Sequence, residues 1–218
     1  MYKIAAIVSA LLLIRCGASK TTIDASKIHT FRNISSAISY ENSIGSVDTS
    51  PNHTIELADS MYPNHKGFEL AIPKMFQQVE VPFICTVSYY YVKKDSSIKV
   101  IFYQWDNPNP VGHENVIGTK NKFKRFKNKW NQLAGQLSNQ LGKPHYTSIA
   151  SAKYGDKIIV DESTEDSIWS IDNNSTKQNT TWRDDMKWKS DNGVNAYMFM
   201  FGDNRTGYRQ IRLVIYGD

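Results

Sequence analysis

Between Lys120 and Leu141 the apolar residues recur with the spacing of one helix face. Phe123, Phe126, Trp130, Leu133, Ala134, Leu137 and Leu141 fall, at about 100° per residue, into one arc about 100° wide, the stripe of a surface helix packed on a core. Every other position is polar or Gly. Leu141-Gly142-Lys143-Pro144 closes the run, because Gly takes the left-handed cap and Pro cannot continue a helix. Such a helix needs a partner layer, and the rest of the chain is patterned to supply one. Phe83 to Val92 alternates Phe83, Cys85, Val87, Tyr89 and Tyr91 against Ile84, Thr86, Ser88, Tyr90 and Val92, with the β-branched and aromatic residues that strands prefer. Lys93-Lys94-Asp95-Ser96-Ser97 is a turn, and Ile98 to Trp105 returns as the second strand of a hairpin.

The C-terminal third reads as a meander. Val194 to Phe201 and Tyr208 to Tyr216 are strands separated by turn residues. Tyr154-Gly155-Asp156-Lys157 is a further turn. Asp191-Asn192-Gly193 suits a type I′ hairpin turn, since Asn-Gly tolerates its positive φ angles. The fold class is α+β: a mostly antiparallel sheet made of a hairpin, one long amphipathic helix and a C-terminal meander, with the helix packed on one face. Residues 19–66, rich in Ser, Thr, Asn and His, show no long apolar alternation. Ile28, Phe31, Ile34 and Ile38 allow one short docked helix there. The expected organisation is an export signal at 1–15, a tether and irregular segment at 16–66, and a single domain at 67–218.

The start of the chain has the grammar of an export signal: Lys3, an apolar run from Ile4 to Ile14, then the small residues after Arg15. The run is too short for a bilayer span, which takes about 20 residues. Leu13-Ile14-Arg15-Cys16 resembles the lipobox of bacterial lipoproteins, with Arg15 standing where that family carries Gly, Ala or Ser. The resemblance covers the first twenty residues. It implies that Cys16 carries the lipid and begins the mature chain. Gly17-Ala18-Ser19-Lys20 lacks the Asp that retains some members at the inner membrane, which implies the outer membrane or another periplasm-facing membrane. Cleavage after Ala18, giving a secreted protein, is the alternative.

Either route leaves Cys85 as the one cysteine of the mature domain, so no disulfide framework forms. Cys85 sits within a strand pattern and reads as a buried thiol. The formal charge of +5 is too mild to argue for nucleic acid, and no nucleic-acid motif is present. There is no Gly-x-Ser-x-Gly elbow, His-Glu-x-x-His, Walker loop or Gly-x-Gly-x-x-Gly. His29, His53, His65, His113 and His145 are scattered in loop-like contexts.

Three stretches are candidates for contact with other molecules. The loop from Trp105 to Asn115 gathers Trp105, Asp106, His113 and Glu114 between a strand and the helix, a set that can contact a ligand, although its spacing matches no known metal loop. In Trp182-Arg183-Asp184-Asp185-Met186-Lys187-Trp188, strand parity puts Trp182 and Trp188 on one face with Asp184, either as core or as an aromatic platform. The start of the helix carries Lys120, Lys124, Arg125, Lys127 and Lys129 with no acidic residue among them. That face is either solvated or applied to an anionic surface such as lipid headgroups or an acidic glycan. The functional expectation is a non-catalytic, lipid-anchored cell-envelope protein acting as a binding module, with no metal or cofactor. Its partners would be the membrane, anionic lipid or glycan, or another envelope protein. The alternatives are an envelope hydrolase using carboxylates near the 105–115 loop, and an inhibitor or immunity-type binder.

Overall fold

Every strand among the described residues joins one sheet in the computed structural model, which describes residues 22–58, 62, 68–80, 82–106, 120–153, 156–159, 180–203 and 208–218. The elements run α1 (Lys27–Thr30), α2 (Ile34–Ser43), β1 (Val47–Asp48), β2 (Lys74–Glu80), β3 (Phe83–Tyr91), β4 (Ile98–Asp106), α3 (Lys120–Leu141), β5 (Tyr146–Lys153), β6 (Asp156–Ile159), β7 (Thr180–Lys189), β8 (Val194–Asp203) and β9 (Tyr208–Gly217). The protein is broadly α+β, dominated by a single antiparallel sheet in the order β1-β2-β3-β4-β9-β8-β7-β5-β6. Two meanders therefore meet at its centre, where β4 pairs with β9 from Val100↔Tyr216 to Asp106↔Gln210.

Because neighbouring strand residues point to opposite faces, the register sorts the side chains into two sets. Cys85, Trp105, Ile211, Met200 and Asp184 form one row across β3, β4, β9, β8 and β7. The next row, Thr86, Gln104, Arg212, Phe199 and Asp185, lies on the other face. The first face belongs to the main core, with Val87, Tyr89, Tyr103, Trp188, Met198, Leu213 and Ile215. Phe126, Trp130, Leu133, Leu137 and Leu141 of α3 are buried in that same cluster. The second face holds a smaller cluster of Tyr90, Val100, Tyr197, Phe199 and Val214, joined by Tyr62 and edged by Ile55, Leu57 and Leu70.

The core reaches further toward the N-terminus than the composition of residues 19–66 suggests. Ile23, Ala25, Ile28, Ile34 and Ala37 are all buried in the main cluster. Two short helices stand there. Asn33 caps α2 by accepting from the Ser36 N–H at 3.1 Å. On α2 the inward positions are Ile34, Ala37 and Glu41, so the third is a carboxylate. Glu41 accepts from Tyr89 Oη at 2.5 Å, Ser46 Oγ at 2.5 Å and Gln78 Nε2 at 2.9 Å. Those donors make its burial tolerable. Burial first, then the neighbouring Tyr103 and Glu41, pushes the Tyr89 phenol far above its usual range.

Local signals hold in detail at the helix end and need correction at one turn. Gly142 has φ +83° and its N–H donates to the Ser138 carbonyl at 3.0 Å, closing α3 with a left-handed cap. The β7–β8 turn is not type I′, which needs positive φ at two residues. Gly193 alone has positive φ, at +77°. Its N–H donates to the Ser190 carbonyl at 3.2 Å, and Ser190 N–H donates to Val194 at 3.1 Å. This is a three-residue loop with Gly at its left-handed position.

Candidate functional site

Trp105 and Asp106 are adjacent on β4 and so diverge. Trp105 is fully buried in the main core, stacked on Tyr103 with ring centroids 5.8 Å apart. Its indole Nε1 donates to Glu80 Oε2 at 2.9 Å. Lys129 of α3 completes the group: its Nζ lies 2.5 Å from Glu80 Oε1 and 4.9 Å from the Trp105 ring centroid. Both charges are buried, at 3% and 6% side-chain exposure. Trp188 is buried too, and its Nε1 donates to Ser138 Oγ of α3 at 3.2 Å. Thus Trp105, Trp188 and Lys129 all reach into the main core. Cys16, His113 and Glu114 lie outside the described residues, as do the side chains of Lys120 and Trp182.

The remaining cations of α3 have a different setting. Lys124 and Arg125 are exposed and Lys127 is half-buried. α3 contains no Asp or Glu, and its basic residues crowd the end where the helix dipole is positive. The dipole acts within the first turn, so Lys124, Arg125 and Lys127 lie beyond its main reach. Further along the same helix, two amides hold the start of the described chain. Gln136 Oε1 accepts from the Ile23 N–H at 3.3 Å. Gln140 is used twice, its Oε1 accepting from Ala25 N–H at 2.8 Å and its Nε2 donating to the Ile23 carbonyl at 2.7 Å. The chain at Ile23 and Ala25 is thereby strapped along α3 through three of its backbone groups.

The second sheet face presents the other concentration of polar chemistry. Arg183 on β7 reaches Asp185 through Nε, at 2.9 Å to each carboxylate oxygen. Tyr197 on β8 donates its hydroxyl to the same carboxylate and accepts from Arg183 Nη2. Burial raises the Tyr197 phenol pKa, and the adjoining Asp185 raises it further. Burial opposes the Arg183 charge, but the bond to Asp185 outweighs it and the guanidinium is held more firmly protonated. Arg183 also stacks over Phe199, 4.3 Å from its centroid.

Arg212 lies one strand further on, 5.9 Å from the Phe199 centroid and 5.2 Å from that of Phe201. Beside it, Asp106 accepts from Gln104 Nε2 at 2.6 Å and from Gln210 Nε2. Arg212 Nε and Gln210 Oε1 are buried atoms without a hydrogen-bond partner. Tyr208, 43% exposed, packs against Phe201 at a tilt of 53° with centroids 5.7 Å apart. Burial raises its pKa, with Asp106 adding to the effect and Arg212 opposing it.

Of the residues singled out in the sequence, Asp106 alone belongs to this group. Arg212, Gln210, Gln104, Phe199 and Phe201 were not among them. The signal was available in the alternation of β9, where Gln210, Arg212 and Val214 oppose Ile211, Leu213 and Ile215. Among the described residues no group of three His, Cys, Asp or Glu side chains is placed to hold a metal ion. No helix among them is long and apolar enough to cross a membrane. The chain matches no protein-family model, and neither a curated protein nor a solved structure is significantly similar to it.

Proposed function

We propose that this chain is a non-catalytic, exported binding module of the cell envelope, anchored through a lipid on Cys16. In this reading α3 lies over the first sheet face and turns its basic end toward an anionic membrane surface. The second face then looks away from the membrane, toward a ligand or another envelope protein. The observation that carries the reading is the strap at Ile23–Ala25. The stretch from Cys16 to Thr22 reaches at most about 22 Å when fully extended, and it starts from backbone bound to Gln136 and Gln140 of α3. Lys124 lies about 18 Å along the helix from Gln136. A lipid at Cys16 therefore holds α3 close to the headgroups.

The basic end of α3 supports the same arrangement. Lys124 and Arg125 are exposed, and no acidic residue stands on the helix beside them. Near an anionic surface each contributes up to about 1 kcal/mol of attraction. The test has two arms. Intact-mass measurement of the mature protein should find a lipidated Cys16 at its start, and Cys16→Ser should leave the membrane fraction. The Cys16→Ser protein should co-sediment with phosphatidylglycerol-containing vesicles but not with neutral ones. That binding should fall as salt rises from low to physiological levels, because screening shortens the reach of exposed charge to about 8 Å. Lys124→Gln/Arg125→Gln/Lys127→Gln should abolish it. A mature chain beginning at Ser19 without lipid overturns the anchor. Equal sedimentation with both vesicle types overturns the orientation.

A further inference from the structure

We propose that the second sheet face carries a saccharide site centred on Arg212, which takes the carboxylate of an acidic sugar. The argument begins with what Arg212 lacks. A half-buried guanidinium ordinarily has an anion or several acceptors, since an unpaired buried charge is expensive. Arg212 has two aromatic rings instead, Phe199 and Phe201, and its buried Nε has no acceptor. The other charges on this face do not answer it. Asp185 is engaged by Arg183 and Tyr197. Asp106, one residue row away, is held by the amides of Gln104 and Gln210. Among the described residues no carboxylate comes within ion-pair distance of Arg212.

With Nε buried, the Nη end of the guanidinium is its open valence. That end is a planar fork of N–H donors matched to the two oxygens of a carboxylate. The two flanking rings restrict the guanidinium before any ligand arrives, which lowers the ordering cost of binding.

The surroundings select a sugar among carboxylates. Gln210 is 4% exposed and its Oε1 has no donor, an acceptor that a ligand hydroxyl satisfies once the side chain turns outward. Asp106 and Gln104 stand in the neighbouring positions of the same two rows, where further hydroxyls find acceptors. Phe201, partly exposed, and Tyr208 offer ring surface to the C–H face of a pyranose. A simple anion would use Arg212 and leave Gln210 unsatisfied. A neutral sugar would use the amides and rings and leave Arg212 unsatisfied. One acidic pyranose answers both. The site stands on this geometry whether or not the chain is lipid-anchored. Its biological sense rests on the outward placement of the second face.

The experiment uses the full-length chain in detergent and three probes, sodium glucuronate, glucose and sodium acetate, read by saturation-transfer NMR and titration. Glucuronate should bind at least tenfold more tightly than either glucose or acetate. Arg212→Lys keeps the charge but loses the fork, and should weaken glucuronate at least tenfold with no change toward glucose. Phe201→Ala should weaken glucuronate severalfold. Unchanged circular dichroism shows that each variant is folded. Glucose binding equal to glucuronate, acetate binding equal to glucuronate, absence of binding to the folded wild type, or an Arg212→Lys variant as good as wild type would each overturn the assignment. None of these outcomes depends on vesicle binding, so this site and the membrane-facing role of α3 fail separately.

Discussion

The two faces of the sheet contain polar groups of the same kinds and treat them differently. On the first face two buried carboxylates are answered from within the chain. Glu41 receives Tyr89, Gln78 and Ser46, and Glu80 receives Trp105 and Lys129. On the second face Arg212 and Gln210 keep buried atoms with no partner. An answered buried charge holds its neighbours in one arrangement. Removing one member leaves the other stranded, which costs far more than the pair contributes. An unanswered buried polar atom costs the folded state its desolvation with no bond in return. The contrast is one of degree, since Nε of the fully buried Arg209, on the parity of Ile211, has no acceptor either. It rests on the buried ion pair of the first face against a second-face guanidinium with no carboxylate beside it among the described residues.

The first way to break that contrast is to attack the face that ought to matter most for stability. Trp130 is 2% exposed and buried in the main core. Trp130→Ala should lower stability by about 4 kcal/mol, the loss of a large buried ring and the cavity behind it. Equilibrium denaturation in urea reads this directly, and a loss below about 1 kcal/mol would mean that the helix face is not core. Somewhat smaller should be Lys129→Ala, at about 3 kcal/mol, because Glu80 would stay buried with only the Trp105 N–H to satisfy it. A Glu80→Gln/Lys129→Met variant should recover most of that loss, since neither remaining side chain carries a charge. A double variant as unstable as Lys129→Ala would show that packing, not the stranded carboxylate, sets the cost.

These paired interior charges also explain what could be read from the sequence and what could not. β3, β4, β8, β9 and α3 were legible because their inward positions are apolar: Cys85, Val87 and Tyr89, or Phe126, Trp130, Leu133 and Leu137. β2 was not. Its residues Lys74, Phe76, Gln78 and Glu80 share the register of β3's inward set, so polar side chains occupy core positions and no alternation shows. α2 was legible in part, since Ile34 and Ile38 of the expected short helix lie on it, but its inward position at Glu41 was not. Lys129 looked like one more cation on a basic helix, yet it is the partner of Glu80. In each case the missing information is the identity of a residue 37 to 49 positions away that answers the charge. A short-range periodicity does not carry that. The second-face group is hidden for a related reason, since Arg212, Gln210, Phe199 and Asp106 come together only when β4, β9 and β8 lie side by side.

The smallest expected effect gives the sharpest form of the contrast. Arg212→Gln should change stability by less than about 0.5 kcal/mol, although it removes a half-buried charge from the middle of the sheet. Two terms oppose each other. The stacking of the guanidinium on Phe199 and Phe201 contributes about 0.5–1 kcal/mol. Against it stands the desolvation of an Nε that no acceptor repays. Gln keeps much of the aliphatic contact with the rings and removes the charge. Arg183→Gln, on the same face and over the same Phe199 ring, provides the internal control. Asp185 would then keep Tyr197 but lose its cation, and the cost should reach about 1 kcal/mol, modest because the Arg183 side chain is 44% exposed. Thermal and urea denaturation of both variants measure the difference. If Arg212→Gln costs as much as Lys129→Ala, Arg212 belongs to the scaffold and the two faces are alike. If it is neutral while Arg183→Gln is not, the unpaired arginine is kept for a purpose other than folding.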